Sequence, residues 1–169
     1  MTMAVVNGEL SLGRLLDSAT RDGIRYTTVR GLLEVDDRIL LLRAEHRSIK
    51  DMFELPGGRK WDREGIGAAL CREFREETGL NVTAIGELLS SSDHVSRNGE
   101  PTRHLGFGVK AEASDIIRLS QSEHKGYLWA SHSEISGLPV APRSLAVINS
   151  FMKLRKGSVE KIISFHWGT

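Results

Sequence analysis

The chain has 169 residues, a formal net charge of +1 and 27% charged residues, values that are ordinary for one soluble globular domain. Its single cysteine, Cys71, excludes an internal disulfide and a zinc site built from several cysteines. The near-neutral charge argues against binding nucleic acid or membranes through a basic surface, and neither a long apolar run nor a secretory signal is found. We therefore expect a single domain over residues 1–169, in the reducing cytoplasm.

Hydrophobic periodicity predicts the elements of the first half, in chain order: a short helix within an N-terminal extension (1–22), strands at 24–35 and 39–42, and a helix at 66–78. The pair Asp36-Asp37 favours a tight turn, so the two strands are expected to form a hairpin. Gly79 stands where a left-handed cap ends a helix, which makes the 66–78 helix the clearest element of the chain.

The second half is predicted to contain strands at 82–90 and 105–111 joined by a polar loop, a short strand at 127–130 and a helix at 143–154. The helix begins after Pro142, a residue that is favoured in a first helical turn. The tail, 158–169, contains a strand-like patch from Ile162 to Phe165 and has no assigned role. Because strands and helices mix without strict alternation, the fold class is α+β or mixed α/β rather than a Rossmann-type repeat.

Three carboxylates near the end of the 66–78 helix lie in an energetically poor place. Glu73, Glu76 and Glu77 share a sector of roughly 100° that overlaps the apolar stripe. Glu73 and Glu77 repel each other by about 0.2–0.5 kcal/mol, and the helix dipole disfavours anions near this end, while Arg72 relieves only part of the repulsion. Taken by itself, this acidic segment could simply be the solvent-exposed face of a charged helix. However, converging carboxylates are also the oxygen ligands that Mg²⁺ or Mn²⁺ requires.

A wider window shows fixed residues at fixed spacing: Gly58, five residues, Glu64, seven residues, Arg72-Glu73, two residues, Glu76-Glu77, one residue, Gly79 and Leu80. This pattern resembles the Nudix box, and the similarity extends over about residues 24–155. The resemblance implies a Nudix fold, in which a mixed β-sheet lies between α-helices and the box forms a loop, a helix and a loop. Phe74 stands where the family usually has an aliphatic residue, and it remains apolar.

The resemblance implies a divalent-metal site whose ligands are carboxylate or carbonyl oxygens: Glu73, Glu76, Glu77 and the backbone carbonyl of Gly57. Arg72 would hold the carboxylates in register, and Glu64 would anchor the loop or hold metal-bound water. Gly58 and Gly79 would be structural. Cys71 lies away from the acids on the helix and is expected to be a buried packing residue.

The implied chemistry is hydrolysis of a nucleoside diphosphate linked to another group, with the general base left open among Glu73, Glu123 and His124. We expect Glu123 to act as the base or an accessory ligand. It lies six residues before Trp129, in a loop that leads into a strand resembling a late strand of the family. Basic residues in two polar segments are candidates for contacting substrate: Arg47 and Lys50, with Arg97 and Arg103.

The substrate subclass rests on elimination. Members that act on ADP-ribose tend to carry a proline at a set distance beyond the box, where this chain has His94 and Val95. Members that act on dinucleoside polyphosphates tend to carry a tyrosine there, yet none occurs between Tyr26 and Tyr127. We therefore expect a MutT-like hydrolase that converts nucleoside triphosphates, including modified ones, to monophosphate and pyrophosphate. The alternatives are an ADP-ribose or nucleotide-sugar hydrolase and a non-catalytic nucleotide-binding module; a homodimer is left open.

Overall fold

The structure, a computed structural model, describes residues 13–45, 51–96, 98–112, 116–120 and 122–166, with side chains as far as residue 157. Its helices and strands, in chain order, are α1 (13–21), β1 (Tyr26–Val35), β2 (Arg38–Ala44), β3 (Phe53–Glu54), α2 (Ile66–Thr78), β4 (Val82–Val95), β5 (Pro101–Ala111), β6 (His124–Ser131), α3 (His132–Ile135) and α4 (Pro142–His166). Among the described helices, none is long and apolar enough to cross a membrane.

The strands form one mixed sheet in the order β3-β2-β1-β5-β4. β1 and β3 pair with opposite ends of the same edge of β2, and β6 pairs along its second edge. β1 and β5 are parallel over eight residue pairs, whereas β1 and β2 pair only beside their turn. Beyond that turn the loop after β3 takes the vacant edge of β1, because Val29 N donates to the carbonyl of Gly58 and Gly31 N donates to that of Pro56. This loop, which contains Gly57 and Gly58 and is called the glycine loop below, is thereby hydrogen-bonded to a central strand of the sheet.

Two apolar cores lie on opposite faces of this sheet, which confirms the predicted sandwich. Side chains alternate along β2, so that Leu40 and Leu42 pack with α2 while Ile39 and Leu41 pack with α4. Phe74 of α2 is fully buried in the first core, where a side chain of this size contributes about 1.5–3 kcal/mol. The helix that carries the acids is therefore held against the sheet by its apolar side chains.

The β4–β5 hairpin corrects one prediction. Residues 91–104 were expected to form a loop, but β4 continues to Val95, β5 begins at Pro101, and the turn between them uses Gly99 at φ 78°. β4 is the last strand in the sheet order, and most of its side chains are exposed. Polar residues are tolerated on such an edge strand, and their polarity hid it from an analysis based on hydrophobic patterns.

The carboxyl-terminal prediction was also wrong. The backbone of α4 is helical from Pro142 to His166, so the helix does not end at residue 154 and the patch from Ile162 to Phe165 is not a strand. Gly157 costs only about 1 kcal/mol relative to alanine in a helix, and the lysines and glutamate around it are good helix formers. The hairpin turn is confirmed, since Asp36 and Asp37 both adopt left-handed backbone angles, φ 49° and 59°.

Candidate active site

The buried face of α2 includes two of the three carboxylates that were predicted as metal ligands. Glu73 and Glu77 are 8% and 4% exposed, whereas the side chain of Glu76 is 53% exposed and faces outward. Cys71 is exposed, so its predicted packing role is wrong. The buried face continues through Glu73 and Glu77 because they face the loop after β3, and Cys71 lies on the far side of the helix.

Two glycines allow that loop to approach the carboxylates. Gly57 has φ 140°, and a Cβ there would lie 2.1 Å from the carbonyl oxygen of Val29. A Cβ on Gly58 would lie 2.6 Å from the carboxyl carbon of Glu73. With no side chain in the way, Gly57 N donates a 2.8 Å hydrogen bond to Glu77 Oε2. Gly57 is therefore required by steric contact with the backbone of β1, and Gly58 lets the loop lie directly against the carboxylate of Glu73.

Arg72 joins the loop to the outer carboxylates. Its Nε donates to Glu64 Oε1 at 2.8 Å, and one terminal nitrogen, Nη1, donates to Glu73 Oε1 at 2.8 Å and to Glu76 Oε2 at 3.1 Å. The other, Nη2, donates to Glu64 Oε2 at 3.0 Å and to the carbonyl of Arg59 at 2.9 Å. The hydrogen bond from Arg72 lowers the pKa of Glu64. Arg72 therefore contacts Glu64 and two of the carboxylates predicted as metal ligands, and the roles of Arg72 and Glu64 stay predictions.

A second set of charged residues lies beneath Glu77. Arg30 Nη2 is 2.9 Å from Glu54 Oε2, and its Nη1 donates to the carbonyls of Leu55 and Gly57. His124 Nε2 lies 3.3 Å from Glu54 Oε1 and 3.8 Å from Glu77 Oε1. Sequence reasoning missed Arg30 and Glu54 as site residues. The available signal was a charged residue among apolar neighbours in each of two short segments of the sequence.

Burial governs the electrostatics of this inner set. It raises the pKa of Glu77 to about 7, although the nearby Arg30 and His124 charges lower it. It also raises the pKa of Glu73, against the opposing effect of Arg72. Burial lowers the pKa of His124, but the hydrogen bond to Glu54 and the charge of Glu77 outweigh burial and raise it overall. The cations present do not compensate the buried acids fully, so a further cation is favoured here.

The donor set fits a divalent metal ion. Glu77, Glu123 and His124 each offer one ligand atom, and these atoms lie within 4.8 Å of one another. Nδ1 of His124 is buried without a hydrogen-bond partner. Glu73, Gly57 and the three residues above line one open cleft of about 360 Å³. Carboxylate and carbonyl oxygens suit Mg²⁺ or Mn²⁺. Glu123 thus lies beside Glu77, and its role as base or accessory ligand stays a prediction.

Of the predicted substrate-binding residues, the structure describes Arg103 alone. Arg103 is 4% exposed, and its Nη2 lies 2.8 Å from Asp22 Oδ2 and 2.7 Å from Asp93 Oδ2. It also donates to the carbonyl of Leu15 and to Ser18 Oγ in α1. These contacts fasten α1 to the β4–β5 hairpin, so we do not retain Arg103 as a substrate ligand. The other three candidates lie outside the described residues: Arg47, Lys50 and Arg97.

Comparisons with known proteins agree with this geometry. Residues 25–151 match the NUDIX domain family. The chain is 30% identical to the CTP pyrophosphohydrolase of Escherichia coli over 128 residues, which cover 75% of this chain and 91% of that protein. It is 38% identical to the ADP-ribose pyrophosphatase of Methanocaldococcus jannaschii over 71 residues, 41% of this chain and 42% of that protein.

The solution structure of the E. coli ORF135 protein is similar to this fold, with a TM-score of 0.66 and 26% identity, over 77% of this chain and 90% of that one. The family match spans most of the chain and contains the whole glycine loop, helix α2 and the Glu123 turn. The chain therefore belongs to the Nudix family of hydrolases.

Proposed function

We propose that this Nudix hydrolase converts a nucleoside triphosphate to the monophosphate and pyrophosphate, using Mg²⁺ or Mn²⁺. The observation that carries the proposal is the cleft in which Glu73, Glu77, Glu123 and His124 meet the backbone of the glycine loop. The family member acting on CTP supports the substrate class, because the alignment covers nearly all of that protein.

The metal would be held by the acids that face the cleft. Glu73, Glu77 and the carbonyl of Gly57 are the central ligands, with Glu123 or His124 beside Glu77. Glu76 would join them by turning from Arg72, a step that its exposed side chain allows. When bound, a divalent ion neutralises phosphate charge and lowers the pKa of a coordinated water. Arg30 contacts the same carbonyl of Gly57 and so holds this ligand in place.

Glu123 is the residue that we propose as general base. It is an exposed acid in the turn before β6, which leaves it able to reach a water molecule in the cleft. His124 is buried, and its Nε2 faces Glu54 and Glu77. That placement makes the histidine a weaker candidate for taking a proton from the attacking water molecule in the cleft.

Hydrolysis of ADP-ribose or a nucleotide sugar is the alternative, and the match to the archaeal ADP-ribose pyrophosphatase favours it. That match covers a smaller part of both proteins than the match to the CTP enzyme. The two reactions share the cleavage chemistry, since each breaks a phosphoanhydride bond. They differ in the products: pyrophosphate and one monophosphate, or two monophosphates.

A substrate panel tests both. The full chain is incubated with Mg²⁺ and each common nucleoside triphosphate, ADP-ribose or a nucleotide sugar, and pyrophosphate and monophosphates are quantified. We expect pyrophosphate release, with Glu77→Gln as the inactive control. An ADP-ribose preference of at least about a hundredfold in kcat/KM would contradict the substrate class. Binding of nucleotide without any hydrolysis would instead indicate a non-catalytic module.

The cytoplasmic location and a homodimer stay predictions.

A further inference from the structure

Trp61 is an aromatic residue that the box pattern does not require, and it lies in the loop between the glycines and α2. It is 58% exposed, yet one face of its ring is covered, because the guanidinium carbon of Arg72 lies 3.8 Å from the ring centroid. The backbone fixes this position. Trp61 N donates to Glu64 Oε2 at 2.9 Å, and Glu64 N donates to the carbonyl of Trp61 at 3.2 Å.

The stack complements the hydrogen bonds of Arg72. A guanidinium has five N–H donors, all in its plane, and Arg72 makes five hydrogen bonds to Glu64, Glu73, Glu76 and the carbonyl of Arg59. Only the two flat faces of the group remain. An indole on one face attracts the cation and removes water without competing for any of those donors.

We propose that Trp61 is a positioning residue for the metal site, an inference that rests on the proposed function. The indole holds the Arg72 guanidinium against Glu64 and Glu73, the carboxylates that Arg72 still contacts when Glu76 turns towards a metal. Before a metal binds, these carboxylates repel one another, and a mobile arginine would let them separate. A fixed arginine therefore lowers the cost of assembling the ligands, and Trp61 acts on metal affinity through Arg72.

The chain offers matched control variants. Trp61→Phe keeps an aromatic face over Arg72, whereas Trp61→Leu keeps an apolar side chain without one. Arg59 lies 3.8 Å from the ring centroid of Tyr26, so Tyr26→Leu removes a cation–π contact of the same length from a neighbouring arginine. Since Trp61 is mostly exposed, its variants are expected to fold, and thermal unfolding of each is measured. Trp61→Gln is the second variant, should Trp61→Leu unfold.

The experiment measures Mn²⁺ binding to nucleotide-free protein by electron paramagnetic resonance of the free ion, beside kcat and KM at saturating Mg²⁺. We expect Trp61→Leu to weaken Mn²⁺ affinity by roughly tenfold, as for other residues that orient metal ligands. Trp61→Phe and Tyr26→Leu should stay within about threefold of wild type. At saturating Mg²⁺, kcat should be close to wild type in all three.

Equal Mn²⁺ affinity of wild type and Trp61→Leu, in an active enzyme, would overturn this inference alone. A raised KM for nucleotide at unchanged Mn²⁺ affinity would overturn it too, and would assign the indole to base stacking. Loss of affinity in Trp61→Phe equal to that in Trp61→Leu would show that the aromatic face is not what matters. Wild-type protein that neither binds Mn²⁺ nor hydrolyses nucleotides would overturn the proposed function and the inference together.

Discussion

Two arginines of this protein are each surrounded by carboxylates, but in different settings. Arg72 pairs with Glu64, Glu73 and Glu76 beside the cleft, and Arg103 pairs with Asp22 and Asp93 beneath α1. We call these the Arg72 cluster and the Arg103 cluster. In the Arg103 cluster, hydrogen bonds from the arginine lower the pKa of both aspartates, so the arginine stabilises each carboxylate in its ionised form.

The acids beside the Arg72 cluster are not all stabilised in this way. Burial raises the pKa of Glu73 despite its contact with Arg72, and Glu77 lies close by with a pKa raised to about 7. Both acids face the open cleft and the glycine loop. An arginine with several ion pairs is therefore not by itself a mark of a catalytic site. Buried acids that lack sufficient compensating charge and border a cleft are the better mark.

The largest effect is expected from Glu77→Gln, which removes a proposed ligand from the cleft. The variant should lose kcat by at least about a thousandfold, because charge stabilisation in the cleft depends on the bound metal. Its fold should be intact. Asp93→Asn, which neutralises an acid of the Arg103 cluster, is the control in steady-state kinetics and should keep its turnover. Near-normal turnover of Glu77→Gln would remove the distinction between the two clusters.

Glu123→Gln is expected to lower kcat by roughly 10²–10⁴ if Glu123 is the base. Because the residue is exposed, folding stability should stay unchanged, and thermal unfolding checks this. His124→Gln is the comparison variant in the same assay and should cost less activity. The opposite ranking, with His124 indispensable and Glu123 dispensable, would assign the proton transfer to the histidine.

The pH dependence of stability tests the charge imbalance directly. Glu77 has a pKa near 7 in the folded protein against an ordinary value of 4.5, so the folded chain holds a proton that the unfolded chain has released. Metal-free protein should therefore lose stability, by up to about 3 kcal/mol, as pH rises from about 4.5 to about 7. His124 acts in the same direction, since its raised pKa stabilises the fold at low pH and that contribution is lost as pH rises through its folded pKa.

Urea unfolding in the presence of a chelator, at pH 5.5 and pH 8, measures this dependence. Glu77→Gln should flatten most of the change and be the more stable protein at pH 8. Divalent metal should restore wild-type stability at pH 8, because it binds the ionised acids. A wild-type stability that rises over this pH range would contradict the raised pKa values of Glu77 and His124.

The smallest effect on activity is expected from Arg103→Met. Loss of its charged hydrogen bonds to Asp22 and Asp93 should destabilise the protein by about 1–3 kcal/mol, while kcat and KM stay close to wild type. Urea unfolding and steady-state kinetics below the unfolding transition measure the two quantities. A tenfold or larger rise in KM for a folded variant would show that Arg103 contacts the substrate, as predicted from the sequence.

Local features were predictable from the sequence. The range of α2, its glycine cap and the Asp36-Asp37 turn depend on neighbouring residues, and all three are found as expected. The placement of acids on the border of the apolar stripe was also correct for Glu73 and Glu77, since helical geometry alone relates them to Phe74. The predicted packing of Cys71 failed because burial depends on what lies opposite each side of the helix.

The sequence by itself determined the chemical family, the helix that carries the acids and the glycines that meet them, because box spacing and helical period are properties of nearby residues. Only the tertiary structure decided which charges share a cavity. Arg30 and Glu54 come from separate strands, and they meet His124 only because β2 pairs with both β3 and β6. The prediction that Arg103 contacts substrate failed for the same reason. Its partner Asp22 lies in a distant part of the chain, and strand order and packing decide which long-range partner a charged residue meets.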